Sequence, residues 1–569
     1  MKKVVFLLIT ILSGHIGFGQ IYPDKYFVAF TDKNDSPYSF QNPEAYLSER
    51  AIERRERYNI PVDIHDLPVN PQYIEAVANI GVEIINPTKW LNGVTIFTTD
   101  PSKISQIESL PFVLAVSKAS TIDVNHSNET YLDEFSLNKP GQMNEIINNA
   151  AQELTTLKNS TTLNYGLGYG QINQINGIPL HDDGFQGQGM VIAVLDAGFS
   201  YTNVMNAFDT LFLNGRILGT HDFVDGDTNV FQGSTHGTSV LSTMGANLPG
   251  QLIGTAPQAS YYLLRTEDSE TEYIIEEYNW ASGAEYADSA GADIINSSLG
   301  YIGFDDPSQS HIYEHMDGNT APATIAADRA MSRGMIVVNS AGNSGNSSSW
   351  PWIGAPADGD SVFSIGAVDA NGMIAGFSSI GPTYDGRLKP NIVARGSDAV
   401  VASTNGGTAT ASGTSFSSPI IAGMTACLWQ IDPEMNNISI LTAIQNSGSL
   451  ANNPNNQYGY GIPDYNQARI VLSAFQHGLA SHPGDLTVFP NPFQDDLSVL
   501  YNSRDTHSVT IQLFDLAGRK LHEQKFSSVI IGLNPLVLKQ LSGLNQGFYM
   551  VKIVADDKVY SRKVLKIKY

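Results

Sequence analysis

Cysteine is almost absent from this chain: Cys427 is the single one among 569 residues. One cysteine cannot close an internal disulfide, and it excludes zinc-finger and iron–sulfur frameworks, which need several thiolates at short spacing. Stability must come from the size of the core or from bound ions. Positive charge is scarce too. Lys and Arg total 32 against 56 Asp and Glu, a net charge of −24. A surface that tracks nucleic-acid phosphates needs clustered cations, so this balance argues against a nucleic-acid partner. Past the opening residues, no apolar run approaches the roughly 18–20 residues of a membrane-spanning helix. Gly at 51 and Pro at 27 are ordinary counts, which removes collagen-like and proline-rich classes.

What is present is enough for several folded units. At about 150 residues per domain the length suggests three or four. Apolar residues at 42% and charged residues at 15% are proportions that build ordinary cores. The chain opens Met1-Lys2-Lys3, continues with an apolar stretch over 4–12, and reaches small residues at Gly17 and Gly19. That succession predicts a secretory signal peptide over 1–19, cut after Gly19. As a helix the apolar stretch spans about 14 Å, too short for a hydrocarbon core of about 30 Å.

Residues 20–119 read as one α+β unit, with strands over 25–30, 81–85, 92–97 and 112–116 and helices over 43–58 and 101–110. The order β-α-β-β-α-β is ferredoxin-like. Residues 120–165, rich in Asn, Ser and Thr, read as a linker open to cleavage. Residues 166–476 alternate helices with short buried strands, the pattern of a parallel sheet covered on both faces. Residues 477–569 change style. Alternation at Val509, Ile511, Leu513 and at Tyr549, Val551, Ile553 predicts an all-β sandwich of about seven strands.

Three short segments in the middle unit carry chemistry. Val194-Leu195-Asp196-Ala197-Gly198 sets an acid at the carboxyl end of an apolar run, where open α/β sheets place their sites. Thr235-His236-Gly237-Thr238-Ser239 sets a histidine ahead of a helix. Ser412-Gly413-Thr414-Ser415-Phe416-Ser417-Ser418-Pro419 sets Ser415 between a Gly-rich turn and an apolar helix over 420–428, with Pro419 in its first turn. Singly, each has a plainer reading as a turn aspartate, a core histidine or a helix cap. Together they supply what a serine nucleophile needs. The hydroxyl is a poor nucleophile until a neutral imidazole takes its proton, and that imidazole needs a buried carboxylate to fix its tautomer. A fourth segment, from Val338 to Gly345, follows an apolar strand and offers Asn343 as a donor to a developing oxyanion.

On these residues, 166–476 resembles the subtilisin-like serine peptidases. Asp196, His236 and Ser415 match the family's D-x-G, H-G-T and G-T-S motifs in the order Asp…His…Ser. The resemblance implies that they form the catalytic triad and that Asn343 serves the oxyanion. It also implies that Ser298-Leu299-Gly300 pairs with the substrate backbone as a strand. Further matches are Ser378-Ser379-Ile380-Gly381-Pro382 and Asp385-Gly386-Arg387-Leu388-Lys389-Pro390. Phe416 stands where the family usually has Met, and Asn391 and Arg395 depart from its K-P-D-x-x-A-P-G pattern.

The flanking units follow. The unit at 20–119 is similar to the inhibitory propeptides of the family. The unit at 477–569 resembles the type IX secretion sorting domain. It carries Pro490-Asn491-Pro492, Asp515-Leu516-Ala517-Gly518, Leu544-x-x-Gly547-x-Tyr549 and a basic end over 563–568. The whole resemblance implies a serine endopeptidase exported from a Gram-negative bacterium, by signal peptide and then type IX secretion, and held as a zymogen. Its partners are protein or peptide substrates, its own propeptide and the secretion machinery. The chemical step needs no cofactor. A structural calcium stays open, and Asp225-Gly226-Asp227 reads as a turn. The rivals are a catalytically silent binding protein on a protease scaffold, an esterase and an adhesin. The esterase requires a G-x-S-x-G elbow and the order Ser…Asp…His, and the serine here comes last.

Overall fold

The structure is a computed structural model. It describes residues 25–118, 163–451, 453–476 and, in the last unit, 486–489, 493, 497–503, 507–529, 532–538, 541–555 and 558–567. The expected signal peptide, nearly all of the expected linker and the Pro490-Asn491-Pro492 motif lie outside the described residues.

The first unit runs β1 (Lys25–Phe30), α1 (Glu49–Arg57), α2 (Pro71–Ala78), β2 (Glu83–Thr88), β3 (Gly93–Phe97), α3 (Pro101–Glu108) and β4 (Val113–Lys118). Its strands lie in the order β2-β3-β1-β4, each antiparallel to its neighbour, which is the ferredoxin-like arrangement. Val28, Phe30, Val94 and Ile96 from the sheet and Val77 and Ile107 from α2 and α3 form its core. Sequence reading placed one helix between β1 and β2, and there are two. The second, α2, starts where the Asn70 side chain accepts a hydrogen bond from the Gln72 N–H and Pro71 takes the first turn.

The first helix, α1, serves a different purpose. Its arginines Arg54 and Arg55 are buried against the middle unit, where the Asp288 carboxylate meets Arg54 at 2.5 Å, Arg55 at 2.8 Å and Lys89 at 3.1 Å. Around this cluster, Glu285 accepts from the backbone N–H groups of Lys89 at 2.7 Å and Trp90 at 2.9 Å. Phe27 stacks on Tyr278 with ring centroids 4.3 Å apart. The acceptors and Tyr278 all lie on one helix, Ile275–Ala290, so the first unit docks on that helix.

The middle unit is built on seven parallel strands. They are β5 (Val191–Asp196), β6 (Ile217–Asp222), β9 (Ser260–Arg265), β10 (Ile294–Ser297), β11 (Ile336–Ser340), β12 (Phe363–Val368) and β13 (Ile392–Arg395). The two-residue strands β7 (Asn247–Leu248) and β8 (Leu252–Ile253) and the hairpin of β14 (Ala399–Ser403) and β15 (Gly407–Ala411) lie outside this sheet. The order β13-β12-β11-β10-β5-β9-β6 sends the chain from β5 to one side and then, with β10, to the other. Such a reversal opens a crevice beyond the carboxyl ends of the strands. Here it falls between β5 and β10. Every residue of β5 and β10 is buried, as strands covered by helices on both faces must be. Tyr165 packs into this core, so the unit is already under way within the stretch read as linker.

Among the described residues the last unit shows the seven strands expected. A three-stranded sheet of β16 (Leu486–Phe489), β17 (Leu497–Ser503) and β20 (Gly532–Leu538) accompanies a four-stranded sheet. The latter holds β18 (His507–Phe514), β19 (Lys520–Val529), β21 (Gly547–Ala555) and β22 (Lys558–Lys566). Val509, Ile511, Leu513, Tyr549, Val551 and Ile553 are all buried in its core.

Candidate active site

Asp196 ends β5 and is fully buried. Its Oδ1 accepts from the Ala197 N–H at 2.8 Å and lies 2.7 Å from His236 Nδ1. His236 opens the helix His236–Gly245. Two glycines make this approach possible. A Cβ at Gly237 would lie 2.5 Å from the Gly198 carbonyl oxygen and 2.9 Å from the Asp196 Cβ. Gly198 itself has φ +136°, and a Cβ there would sit 2.3 Å from the Gln232 carbonyl oxygen. The glycines of D-x-G and H-G-T are thus the condition for bringing strand end and helix start into contact. Burial disfavours the charged imidazole, but the Asp196 carboxylate, helped by Glu267, outweighs it and lifts His236 above its ordinary 6.5.

Ser415 is not between a turn and a helix, as its sequence suggests, but inside the first turn of the helix Thr414–Trp429. Pro419 lies within that helix. Proline has no N–H to give the carbonyl four residues back, which is that of Ser415. The freed oxygen accepts instead from the Ser298 hydroxyl at 2.8 Å. Ser298 is tied in turn to Asn296, whose Oδ1 accepts from Ser418 at 3.0 Å. The end of β10 therefore stabilises a helix that its own sequence interrupts. The Ser415 hydroxyl donates to the Ser298 carbonyl at 3.3 Å, and the ring of the next residue, Phe416, lies 6.0 Å from the His236 ring.

Asn343 is held by a residue that sequence reasoning passed over. Its Oδ1 accepts from the Thr414 N–H at 2.8 Å and from the Thr414 hydroxyl at 2.9 Å. The same hydroxyl accepts from the Gly342 N–H at 3.1 Å. With the carbonyl end of the amide locked, Nδ2 is turned to the Gly413 side, 3.5 Å from where a Cβ on that residue would sit. The Ser415 N–H sits in the first turn of its helix, where backbone donors have no partner within the helix.

The segment Ser298-Leu299-Gly300 runs on from β10. The Leu299 carbonyl points inward, accepting from Asn339 Nδ2 at 3.1 Å. The Ser298 carbonyl faces Ser415, accepting from its hydroxyl at 3.3 Å. The structure thus brings Asp196, His236, Ser415, Asn343 and this segment to the carboxyl ends of the central strands. Asp225-Gly226-Asp227 stands apart from them. The Arg265 guanidinium bridges Asp222 at 2.8 Å and Asp225 at 2.7 Å, and the Asp222 N–H bonds to the Asp227 carbonyl at 2.9 Å, which is a turn pinned by an arginine.

Residues 187–461 match the subtilase family, residues 25–133 the peptidase S8 propeptide domain of Bacteroidota, and residues 487–568 a secretion system C-terminal sorting domain. Subtilisin NAT from Bacillus subtilis subsp. natto is 33% identical over 295 residues, covering 51% of this chain and 68% of that protein. Subtilisin from Bacillus pumilus is 32% identical over 295 residues, covering 51% of this chain and 94% of its own length. A thermophilic serine proteinase from Bacillus sp. (strain AK1) is 31% identical over 281 residues, covering 49% and 61%.

Proposed function

Because the chain belongs to the subtilase family, we propose that its serine endopeptidase chemistry runs through Ser415 as nucleophile, His236 as base and then acid, and Asp196 as the carboxylate that orients His236. The observation that carries this reading is the buried 2.7 Å contact of Asp196 with His236 Nδ1, beside the first turn of the helix that holds Ser415. That contact selects the tautomer protonated on Nδ1, which makes Nε2 the acceptor of the serine proton. Ser415 Oγ attacks the scissile carbonyl carbon. The oxyanion is received by Asn343 Nδ2 and the Ser415 N–H. His236 then protonates the leaving amine, and water, deprotonated by His236, hydrolyses the acyl-enzyme. The segment Ser298-Leu299-Gly300, which continues β10 beside Ser415, suits a peptide added as a strand. A serine-directed phosphonate should label Ser415 in the mature protein. Absence of labelling would instead favour the silent scaffold.

Two further outcomes are expected of this arrangement. Asn343→Asp keeps the Oδ1 that Thr414 holds and replaces only the donor. It should lower kcat at least about 100-fold with KM little changed. A rise in KM at unchanged kcat would make Asn343 a substrate-positioning residue.

The second concerns pH. Catalysis needs neutral His236, and Asp196 raises its pKa, so the acid limb of kcat/KM should lie above about pH 6.5. Asp196→Asn removes the main raising influence. It should shift the limb downward while cutting kcat about 10⁴-fold. A wild-type limb near pH 5 would contradict the pairing.

The sorting domain marks the chain for export by type IX secretion, and no helix among the described residues is long and apolar enough to cross a membrane. The propeptide domain acts as the enzyme's own inhibitor, docked on Ile275–Ala290 until the linker is cut.

A further inference from the structure

Several buried carboxylates in the middle unit face a cation from this chain. Asp288 has Arg54, Arg55 and Lys89, Asp222 has Arg265, and Glu277 has His311 at 2.6 Å. One group does not. Glu267, Glu272 and Glu276 each bring a carboxylate oxygen to within 4.8 Å of the others, and among the described residues none of the three forms an ion pair. Glu267 and Glu276 are 4% and 1% exposed. Glu276 Oε1 accepts from the Asp268 N–H at 3.2 Å, but its Oε2 is buried without any hydrogen-bond partner. Burial, and then repulsion among the neighbouring carboxylates, push all three above their ordinary range, so the charged forms are favourable here only when a cation joins them.

From this we propose that Glu267, Glu272 and Glu276 bind a divalent cation of the calcium class. Calcium–oxygen distances of about 2.3–2.6 Å put opposite ligands about 4.6–5.2 Å apart, so three oxygens of this spacing fit around a single ion. The donors are all hard oxygens, with no imidazole or thiolate to favour zinc or copper. The site has built supports. The Tyr301 hydroxyl donates to Glu267 Oε1. The backbone of Glu272 is clamped to Asp305, donating its N–H to Oδ2 at 3.1 Å and accepting from the Asp305 N–H at 2.8 Å. The three glutamates span the loop after β9 and the start of the helix Ile275–Ala290, while Tyr301 directly follows Gly300. An ion here therefore ties one wall of the crevice to the segment proposed to bind substrate. Its binding does not depend on the proposed peptidase mechanism.

The test uses the full-length Ser415→Ala protein, in which self-digestion cannot confuse the readout. After treatment with chelator, calorimetric titration with calcium chloride should show binding at about 10⁻⁴ M or tighter. Glu267→Gln and Glu276→Gln should each weaken that event at least 10-fold or remove it. Melting separates this from misfolding. In chelator the Gln variants, relieved of repulsion, should melt no lower than the parent, and calcium should raise Tm in the parent only. Absence of calcium binding, or titrations and Tm shifts that both variants retain unchanged, would overturn the proposal. So would a preference of the active enzyme for Lys or Arg substrates that calcium leaves unaltered and Glu276→Gln abolishes. That result would make the cluster a pocket for basic side chains.

Discussion

Ser415→Ala should leave a folded protein whose peptide hydrolysis has fallen to the residual level, about 10³–10⁴-fold over water, that binding and oxyanion stabilisation sustain alone. The structure explains why the fold survives. The Ser415 hydroxyl makes one long hydrogen bond, 3.3 Å to the Ser298 carbonyl, worth at most about 1 kcal/mol. The contact that holds the helix start, from the Ser298 hydroxyl to the Ser415 carbonyl, uses the backbone and is untouched by the change. The same variant should keep its propeptide covalently attached, because cutting the linker in this scheme needs the nucleophile. Turnover of a peptide substrate and mass spectrometry of the N-terminus report the two effects. Near-wild-type turnover would remove Ser415 from its role. Normal trimming without turnover would assign the cut to another protease and leave the triad standing.

The contact of Asp196 with His236 and the approach of Asn343 to the start of the helix that holds Ser415 were legible in the sequence. Each of these residues lies in a short segment whose neighbours fix its placement. An apolar run delivers Asp196 to a strand end, and glycines at 198 and 237 permit the approach of His236. What was not legible depends on partners far along the chain. Pro419 suggests a helix that starts late, and nothing local shows that Ser298 will satisfy the carbonyl which proline leaves bare. Thr414 reads as a spacer in G-T-S, yet it locks the Asn343 amide across 71 residues. The glutamates at 267, 272 and 276 follow no single period, because a loop separates the first two from the helix that carries the third. The charged helix α1 was visible. That its arginines turn inward was not, since burying them is tolerable only because Asp288 waits on the other unit.

Asp288 is therefore the position at which propeptide binding should be most sensitive to a single change. Asp288→Asn should weaken inhibition by the propeptide about 100- to 1,000-fold. In the docked state the carboxylate is fully buried and meets Arg54, Arg55 and Lys89. Deleting one partner of a buried ion pair costs about 3–5 kcal/mol, because it strands the remaining charges away from water. Asp66 still holds Arg55 at 2.6 Å, so the lower half of that range is the expected one. Burial works to raise the Asp288 pKa, but Lys89, Arg55 and Arg54 overcome it and hold the group well below its ordinary 3.8. A carboxylate depressed in the complex favours docking above its free pKa and loses that contribution as pH falls through the lower value. Asp288 should thus keep the propeptide bound from neutral pH down to about pH 4, and acid release through this group should begin only below that. Without the propeptide, Asp288 lies on the face of Ile275–Ala290 that the propeptide had covered, remote from Ser415. The mature Asp288→Asn enzyme should therefore cleave a small peptide with wild-type kcat/KM. Inhibition constants against the propeptide, measured across pH 3–8 for both enzymes, test the claim. Equal constants for the two would show that the apolar contacts around Phe27 and Trp90, not the buried charges, hold the propeptide in place.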